Sequence, residues 1–264
     1  MKYTVSAQTN VGLKRINNED NFCVNDRYMP APAQRTFSLS ANLAEGVIAV
    51  CDGMGGESYG EYASLTGVKT IAENYSSLLC DDDLERKERA DRLIRSINAD
   101  ICAEMQKRKA GIGSTVVLAC VKNDCVDVFN VGDSRAYLFR KGKLKQLSKD
   151  HTVARQKIDM GVMTEEKAAR SQERHQLTQH LGVNEEEMLI EAYHSQEVLV
   201  PGDMLLLCSD GLTDMVSNEE ISLLCRGAKD AAALASALID QALENGGKDN
   251  VTVIAINMSR GRSS

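Results

Sequence analysis

The sequence predicts an α+β fold in which antiparallel β-sheets pack together and are covered by α-helices. Two observations carry that expectation. Strand-like and helix-like segments come in blocks instead of a strict β-α-β alternation, and hairpin-type turns recur between short apolar runs.

The elements follow in chain order. "YTVSAQTNVG" and "NFCVN" have the composition of strands, and "TFSLSANLAEGVIAVCD" holds a turn at Ala44-Glu45-Gly46 before a strong strand. From Gly60 to Met105 the apolar spacing turns helical, as in Leu93, Ile94, Ile97, Ile101 and Met105, which predicts two helices separated by Asp81-Asp82-Asp83. Strands return in "STVVLACV", "CVDVFNVGDSRAYLF" and "LKQLS", the last two joined by a turn at Arg140–Lys143. Residues 150–182 form a polar, helical insertion with Thr164 as a helix N-cap. "VLVPGDMLLLCSD" reads as strand around a Pro-Gly-Asp turn, and Ser217 with Glu220 matches a capping box. An alanine-rich helix over Asp230–Leu243 and the strand "NVTVIAI" complete the pattern.

The chain has 264 residues, 43% hydrophobic and 26% charged, which suits a globular protein with a substantial core. No Pro-rich or Gly/Ser-rich linker divides it, so one domain over residues 1–258 is expected, with a loose tail at 259–264. No apolar run reaches the roughly 18 residues of a membrane span, and "MKYTVSAQTN" turns polar too early for a signal peptide. A cytoplasmic protein is the expectation. The net charge of −7 disfavours a nucleic-acid surface. The eight cysteines form no CxxC pair and read as reduced core thiols. The four histidines, at 151, 175, 180 and 194, show no ligand spacing near the acids and read as surface or helper residues.

Four acids share one local setting. Asp52 follows "VIAVC", Asp133 follows "VFNVG", Asp210 follows "LLLCS" and Asp249 precedes "NVTVIAI", each at the end of an apolar strand beside Gly or Asn, or close to one. For any one of them turn chemistry is the ordinary explanation. Four in matching context suggest strand ends converging on one site, where the carboxylates would raise each other's pKa unless cations neutralise them. All-oxygen ligation suits hard divalent ions, magnesium or manganese, better than zinc. Gly53, Gly55 and Gly56 would leave room for a backbone carbonyl and a bulky ligand to approach the metal.

Seven ordered motifs, "GLKRINNED", "VCDGMGG", "GSTVVL", "VGDSRAYL", "LTQHLG", "CSDGLTD" and "KDNVTV", resemble those of the metal-dependent type 2C (PPM) serine/threonine protein phosphatases, in the compact bacterial form. The resemblance spans about Thr4 to Ile256. It implies a four-layer α-β-β-α architecture, a central antiparallel β-sandwich flanked by helices, with a dinuclear metal centre at one end. Asp52 would bridge two Mn2+ or Mg2+ ions, the Gly53 carbonyl would bind one of them, and Asp210 and Asp249 would hold the other. Glu19 and Asp20 would act through metal-bound waters. Asp133, helped by Asp210 and Asp214, matches a weaker third site, Arg15 falls where the family grips the substrate phosphate, and residues 150–182 match its flap. The implied partners are phosphorylated proteins and a cognate serine/threonine kinase, with the chain a monomer.

The chemistry is coherent. Cations reverse the sign of an acidic cluster that would repel a phosphomonoester dianion, and two of them about 3.5–4 Å apart can share and activate one water. A guanidinium offers a planar fork to phosphoryl oxygens. No CxxxxxR loop follows Cys51, which disfavours a cysteine nucleophile. Two positions depart from many relatives. Met54 stands where many eukaryotic members place a proton-donating histidine, and Gln179-His180 replaces an Arg-Ala pair in the flap. Two competing readings are a catalytically inactive relative that binds phosphoproteins and a regulatory phosphatase of the sporulation type.

Overall fold

A computed structural model describes residues 1–31, 34–55, 59–184, 186 and 188–260, so Gly56 and the end of the expected tail, residues 261–264, lie outside the described residues. The strands, in chain order, are β1 (Lys2–Asn10), β2 (Asp20–Val24), β3 (Arg27–Tyr28), β4 (Thr36–Leu43), β5 (Gly46–Gly55), β6 (Ile112–Ser114), β7 (Val116–Lys122), β8 (Cys125–Val131), β9 (Arg135–Arg140), β10 (Lys143–Gln146), β11 (Tyr193–Val198), β12 (Met204–Cys208) and β13 (Val251–Ser259). They form two antiparallel sheets, ordered β10-β9-β12-β13-β1-β4 and β11-β8-β7-β5-β2-β3, with β6 added alongside β5. The last strand continues through Ser259, one residue into the stretch expected to be tail.

The α+β sandwich follows from period-2 side chains on strands covered on both faces. In β5, Ile48 and Val50 point between the sheets, where they meet Val5, Phe22, Val117 and Ile254. Val47, Ala49 and Cys51 point the other way, against helices α1 (Gly60–Asn74) and α2 (Asp83–Arg108). The opposite sheet does the same, with Val251, Val253 and Ala255 of β13 facing α6 (Asn218–Gly227) and α7 (Ala231–Glu244). A strand with two buried faces cannot alternate polar with apolar, which is why "VIAVC" and "VIAI" are unbroken apolar runs.

Helix starts follow their caps. Asp82 accepts from the Glu85 amide before α2, Asp230 from Ala233 before α7, and Ser217 with Glu220 forms a complete capping box before α6. Each cap satisfies amides that the first helical turn leaves without partners. None of the described helices is long and apolar enough to cross a membrane. None of the eight cysteines is paired in a disulfide, and five (Cys23, Cys51, Cys120, Cys208 and Cys225) are buried.

Two features position the site, of which only the first departs from the sequence pattern. The run Cys125–Phe139 is two strands in different sheets, β8 and β9, and the chain crosses the sandwich at Gly132-Asp133-Ser134. Gly132 makes the corner with φ of +98°, where a Cβ would stand 2.6 Å from the Thr115 side chain. Residues 150–182 fold outside the sandwich as α3 (Val153–Asp159), α4 (Glu165–Ala168, capped by Thr164) and a 3-10 turn at Gln172–His175. Both ends of this flap are pinned, by Thr178 N–H donating to the His151 carbonyl at 2.8 Å and by reciprocal bonds between Leu181 and Ser114.

Candidate metal centre

The acids gather because the strand ends that carry them share one end of the sandwich. Asp52 of β5 lies directly opposite Asp20, the first residue of β2. Asp133 sits at the corner between β8 and β9, Asp210 opens the short helix α5 (Asp210–Thr213) after β12, and Asp249 stands two residues before β13. Asp52, Asp133, Asp210 and Asp249 line a cavity of about 260 Å³ together with Glu19 and, at its rim, Arg15. Gly53, Met54 and Thr115 also line it, as do His175 and Leu177 of the flap and Asn250.

Backbone placement is tight. Thr115 accepts the Asp52 amide on its hydroxyl at 3.1 Å and donates its own amide to the Asp52 carbonyl at 2.8 Å. A Cβ on Gly53 would stand 2.0 Å from the Gly60 carbonyl oxygen and 2.6 Å from that of Glu19, so no side chain fits there. Asn250 fixes the loop that carries Arg15 and Glu19. Its amide donates to the carbonyls of Val11 at 3.0 Å and Asn17 at 2.9 Å, and its oxygen accepts the Glu19 amide at 2.8 Å.

The electrostatics are those of a site built for cations. Burial, then the charges of Asp20, Asp210, Asp133 and Asp249, push the Asp52 carboxyl well above the usual range. Asp133 is raised in the same way by burial and by Asp210, and Asp210 goes up to about 7 through burial and then Asp214 and Asp249. Asp20 also rises to about 7, because burial outweighs hydrogen bonds at 2.7 Å from the Ser209 and Thr252 hydroxyls. Those hydroxyls satisfy only its Oδ2; its Oδ1 is buried with no hydrogen-bond partner. Glu19 is raised by burial and then by Glu61. Oxygen-only donors, mutual repulsion and an unpaired buried carboxylate oxygen together fit hard divalent cations.

Most of the expected site residues thus come together. Arg15 reaches the cavity with its Nη2 donating to Asp249 Oδ2 at 2.7 Å while half its surface stays exposed. Asp20 is more deeply set than the others, at 1% exposure. Asp214 lies at the edge, where Arg174 Nη1 is 3.1 Å from one of its oxygens and His175 Nδ1 is 3.5 Å from the other. Three residues that sequence reasoning did not single out belong here. Thr115 and Asn250 sit inside the quoted motifs, so their position was available although their role was not. His175 comes from the flap, 35 residues before Asp210, and no spacing rule links the two. The other histidines lie elsewhere. His151 accepts from the Gly132 amide at 3.3 Å, His180 is 3.0 Å from the Leu181 carbonyl, and His194 contacts Asp127 at 2.9 Å.

Residues 10–157, more than half of the chain, match the family model described as Protein phosphatase 2C. The chain is 30% identical over 266 residues to a serine/threonine phosphatase stp of Listeria innocua, covering 97% of each. It is 33% identical over 230 residues to the stp of Listeria welshimeri, covering 82% of this chain and 87% of the relative. Its fold is similar to the crystal structure of the Mycobacterium tuberculosis serine/threonine phosphatase PstP/Ppp, with a TM-score of 0.80, 30% identity and coverage of 98% and 100%. A catalytic domain of PstP in complex with two manganese ions superposes with a TM-score of 0.78 at 30% identity, over 98% of this chain and 100% of that one. With sequence, fold and the acidic end of the sandwich in agreement, the chain belongs to the protein phosphatase 2C family.

Proposed function

We propose that this protein hydrolyses phosphoserine and phosphothreonine in proteins, using two divalent cations, Mn2+ or Mg2+. The observation that carries the reading is the convergence of Asp52, Asp210 and Asp249 on one cavity with Arg15 at its rim. Relatives of the same family are serine/threonine phosphatases, and one such structure holds two manganese ions. Asp52, the Gly53 carbonyl, Asp210 and Asp249 would hold the pair of cations. Glu19 and Asp20 would accept hydrogen bonds from water bound to them, and Asp133 with Asp210 and Asp214 would hold a weaker third cation. When bound, the cations supply a water of lowered pKa as nucleophile and offset the negative charge of the phosphoryl group.

The chain's own residues do the rest. Arg15 binds the phosphoryl oxygens, and Asn250 and Thr115 hold the loop and strand that aim Arg15 and Asp52. Met54 lines the cavity and donates no proton, so the leaving alkoxide takes its proton from another group. We place residues 1–258 in one phosphatase domain with 150–182 as its flap, acting as a cytoplasmic monomer against a cognate serine/threonine kinase. The test is release of phosphate from a phosphothreonine peptide with Mn2+, Mg2+ or EDTA. Metal-dependent turnover lost in EDTA and in Asp210→Asn supports the reading. Equal turnover in EDTA overturns the mechanism, and binding of the peptide with no turnover under any metal makes the protein an inactive phosphoprotein binder.

A further inference from the structure

The loop from Leu13 to Ile16 carries apolar surface beside the acidic cavity that the chemistry described above does not use. All four of its residues are exposed, and Arg15, which lines the cavity, lies between the two apolar ones. Ile16 is 83% exposed, the highest value for a large apolar side chain among the described residues. It is also the only one of those exposed apolar residues that is the chain neighbour of a residue lining the cavity. A single exposed apolar side chain is ordinary on a protein surface, but this one stands on a fixed base. The Ile16 carbonyl accepts from Arg35 Nη1 at 3.2 Å, and the Asn17 carbonyl accepts from the Asn250 side chain at 2.9 Å. The buried Asn18 side chain donates to Thr9 Oγ1 at 2.8 Å. On the other side of Arg15, the Leu13 amide donates to the Gly247 carbonyl at 2.7 Å. The loop is therefore pinned at both ends while Ile16 is kept in water.

We infer that Ile16, with Leu13 on the far side of Arg15, is an apolar subsite that receives a large aliphatic side chain next to the phosphorylated residue, and so selects among phosphoproteins by sequence. This rests on the phosphatase reading above, because it takes Arg15 as the group that seats the phosphate. Consecutive Cα atoms are about 3.8 Å apart, so with the phosphate on Arg15 the residue beside it falls within reach of the rim that Leu13 and Ile16 form. An aliphatic side chain there removes Ile16 from water, whereas a serine leaves it wet. Because the loop is already pinned, little ordering is lost when the contact forms. The flap side of the cavity differs in chemistry. There Arg174 and His175 pair with Asp214, which offers charge and hydrogen bonds in place of apolar area. Continuity with the phosphate grip, more than exposure, identifies the occupant as a segment of substrate.

The experiment is steady-state hydrolysis, in Mn2+, of three phosphothreonine peptides that differ only in the two residues flanking the phosphothreonine, which are leucine, serine or lysine. p-Nitrophenyl phosphate, which has no flanking residues, is the fourth substrate. Wild type should favour the leucine peptide over the serine peptide by about tenfold in kcat/KM, as burial of one aliphatic contact implies. Ile16→Ser should raise KM for the leucine peptide about fivefold and leave the serine peptide and p-nitrophenyl phosphate within about twofold of wild type. Ile16→Glu should move the preference to the lysine peptide, a gain that a merely structural role for Ile16 does not produce. Equal kcat/KM for the leucine and serine peptides in wild type, or equal losses on all four substrates in Ile16→Ser, overturns the inference. So does a wild-type dimer that Ile16→Glu dissociates, which would give the patch to a second copy of the chain. No turnover of any substrate by wild type overturns instead the phosphatase reading on which the inference rests.

Discussion

Asn250 is the residue whose removal should best separate positioning from ligation, because it holds the phosphate loop without facing the cations as a carboxylate does. Its side chain belongs to a residue only 4% exposed and makes three hydrogen bonds between 2.8 and 3.0 Å, to Val11, Asn17 and Glu19. At about 1 kcal/mol for each neutral hydrogen bond, Asn250→Ala should cost about 3 kcal/mol, since one buried amide and two carbonyls lose their partner. With a urea m-value of about 3 kcal/mol/M for a chain of this size, the denaturation midpoint falls by about 1 M. The loop that carries Arg15 is released at the same time, so KM for a phosphothreonine peptide should rise several-fold more than kcat falls. Asn250→Asp keeps the shape and the acceptor for Glu19 but turns a donor into an acceptor against two carbonyls, and should be no better than alanine. A midpoint shift under 0.3 M (about 1 kcal/mol on the same m-value) with unchanged KM in Asn250→Ala would refute this account of the loop.

Three further outcomes are expected. Gly53→Ala places a methyl 2.0 Å from one backbone oxygen and 2.6 Å from another, so it should lower stability by about 1–3 kcal/mol and, by displacing the carbonyl, cut kcat roughly 100-fold; a variant with wild-type melting and turnover would show that the strand yields there. In EDTA the protein should lose stability as pH rises from about 4 to 7, because Asp20 and Asp210, both up to about 7 in the fold, hold protons there that the unfolded chain has released. His151, lowered by burial, opposes this only near its own ordinary range, so a melting temperature that rises steadily over that window in EDTA would contradict the crowding of carboxylates. Arg15→Ala should raise KM about tenfold with kcat changed less, and an unchanged KM would remove Arg15 from the phosphate site.

Much of the architecture was legible because it depends on local rules. The apolar run before Asp52 and the capping box at Ser217 each state their structure within a few residues. The cation site was legible for a related reason, since Asp52, Asp133, Asp210 and Asp249 share a setting at or near strand ends, and an antiparallel sandwich brings such ends together. What stayed hidden was non-local. The crossing between sheets at Gly132 splits a run that reads as continuous strand, and only the pairing of β9 with β12 reveals it. Asp20 is opposite Asp52 through strand register, which fixes it as a buried acceptor from Ser209 and Thr252. His175 joins the site through the fold of the flap, a contact that no pattern in the intervening residues encodes.

The central claim is that the acidic end of the sandwich holds a pair of cations between Asp52, Gly53, Asp210 and Asp249. Anomalous diffraction at the manganese edge from crystals equilibrated with Mn2+ tests it most directly. The account predicts two peaks about 3.5–4 Å apart, with Asp52 touching both, and loss of at least one in Asp52→Asn. A single peak away from Asp52, or the same two peaks in Asp52→Asn, would contradict it.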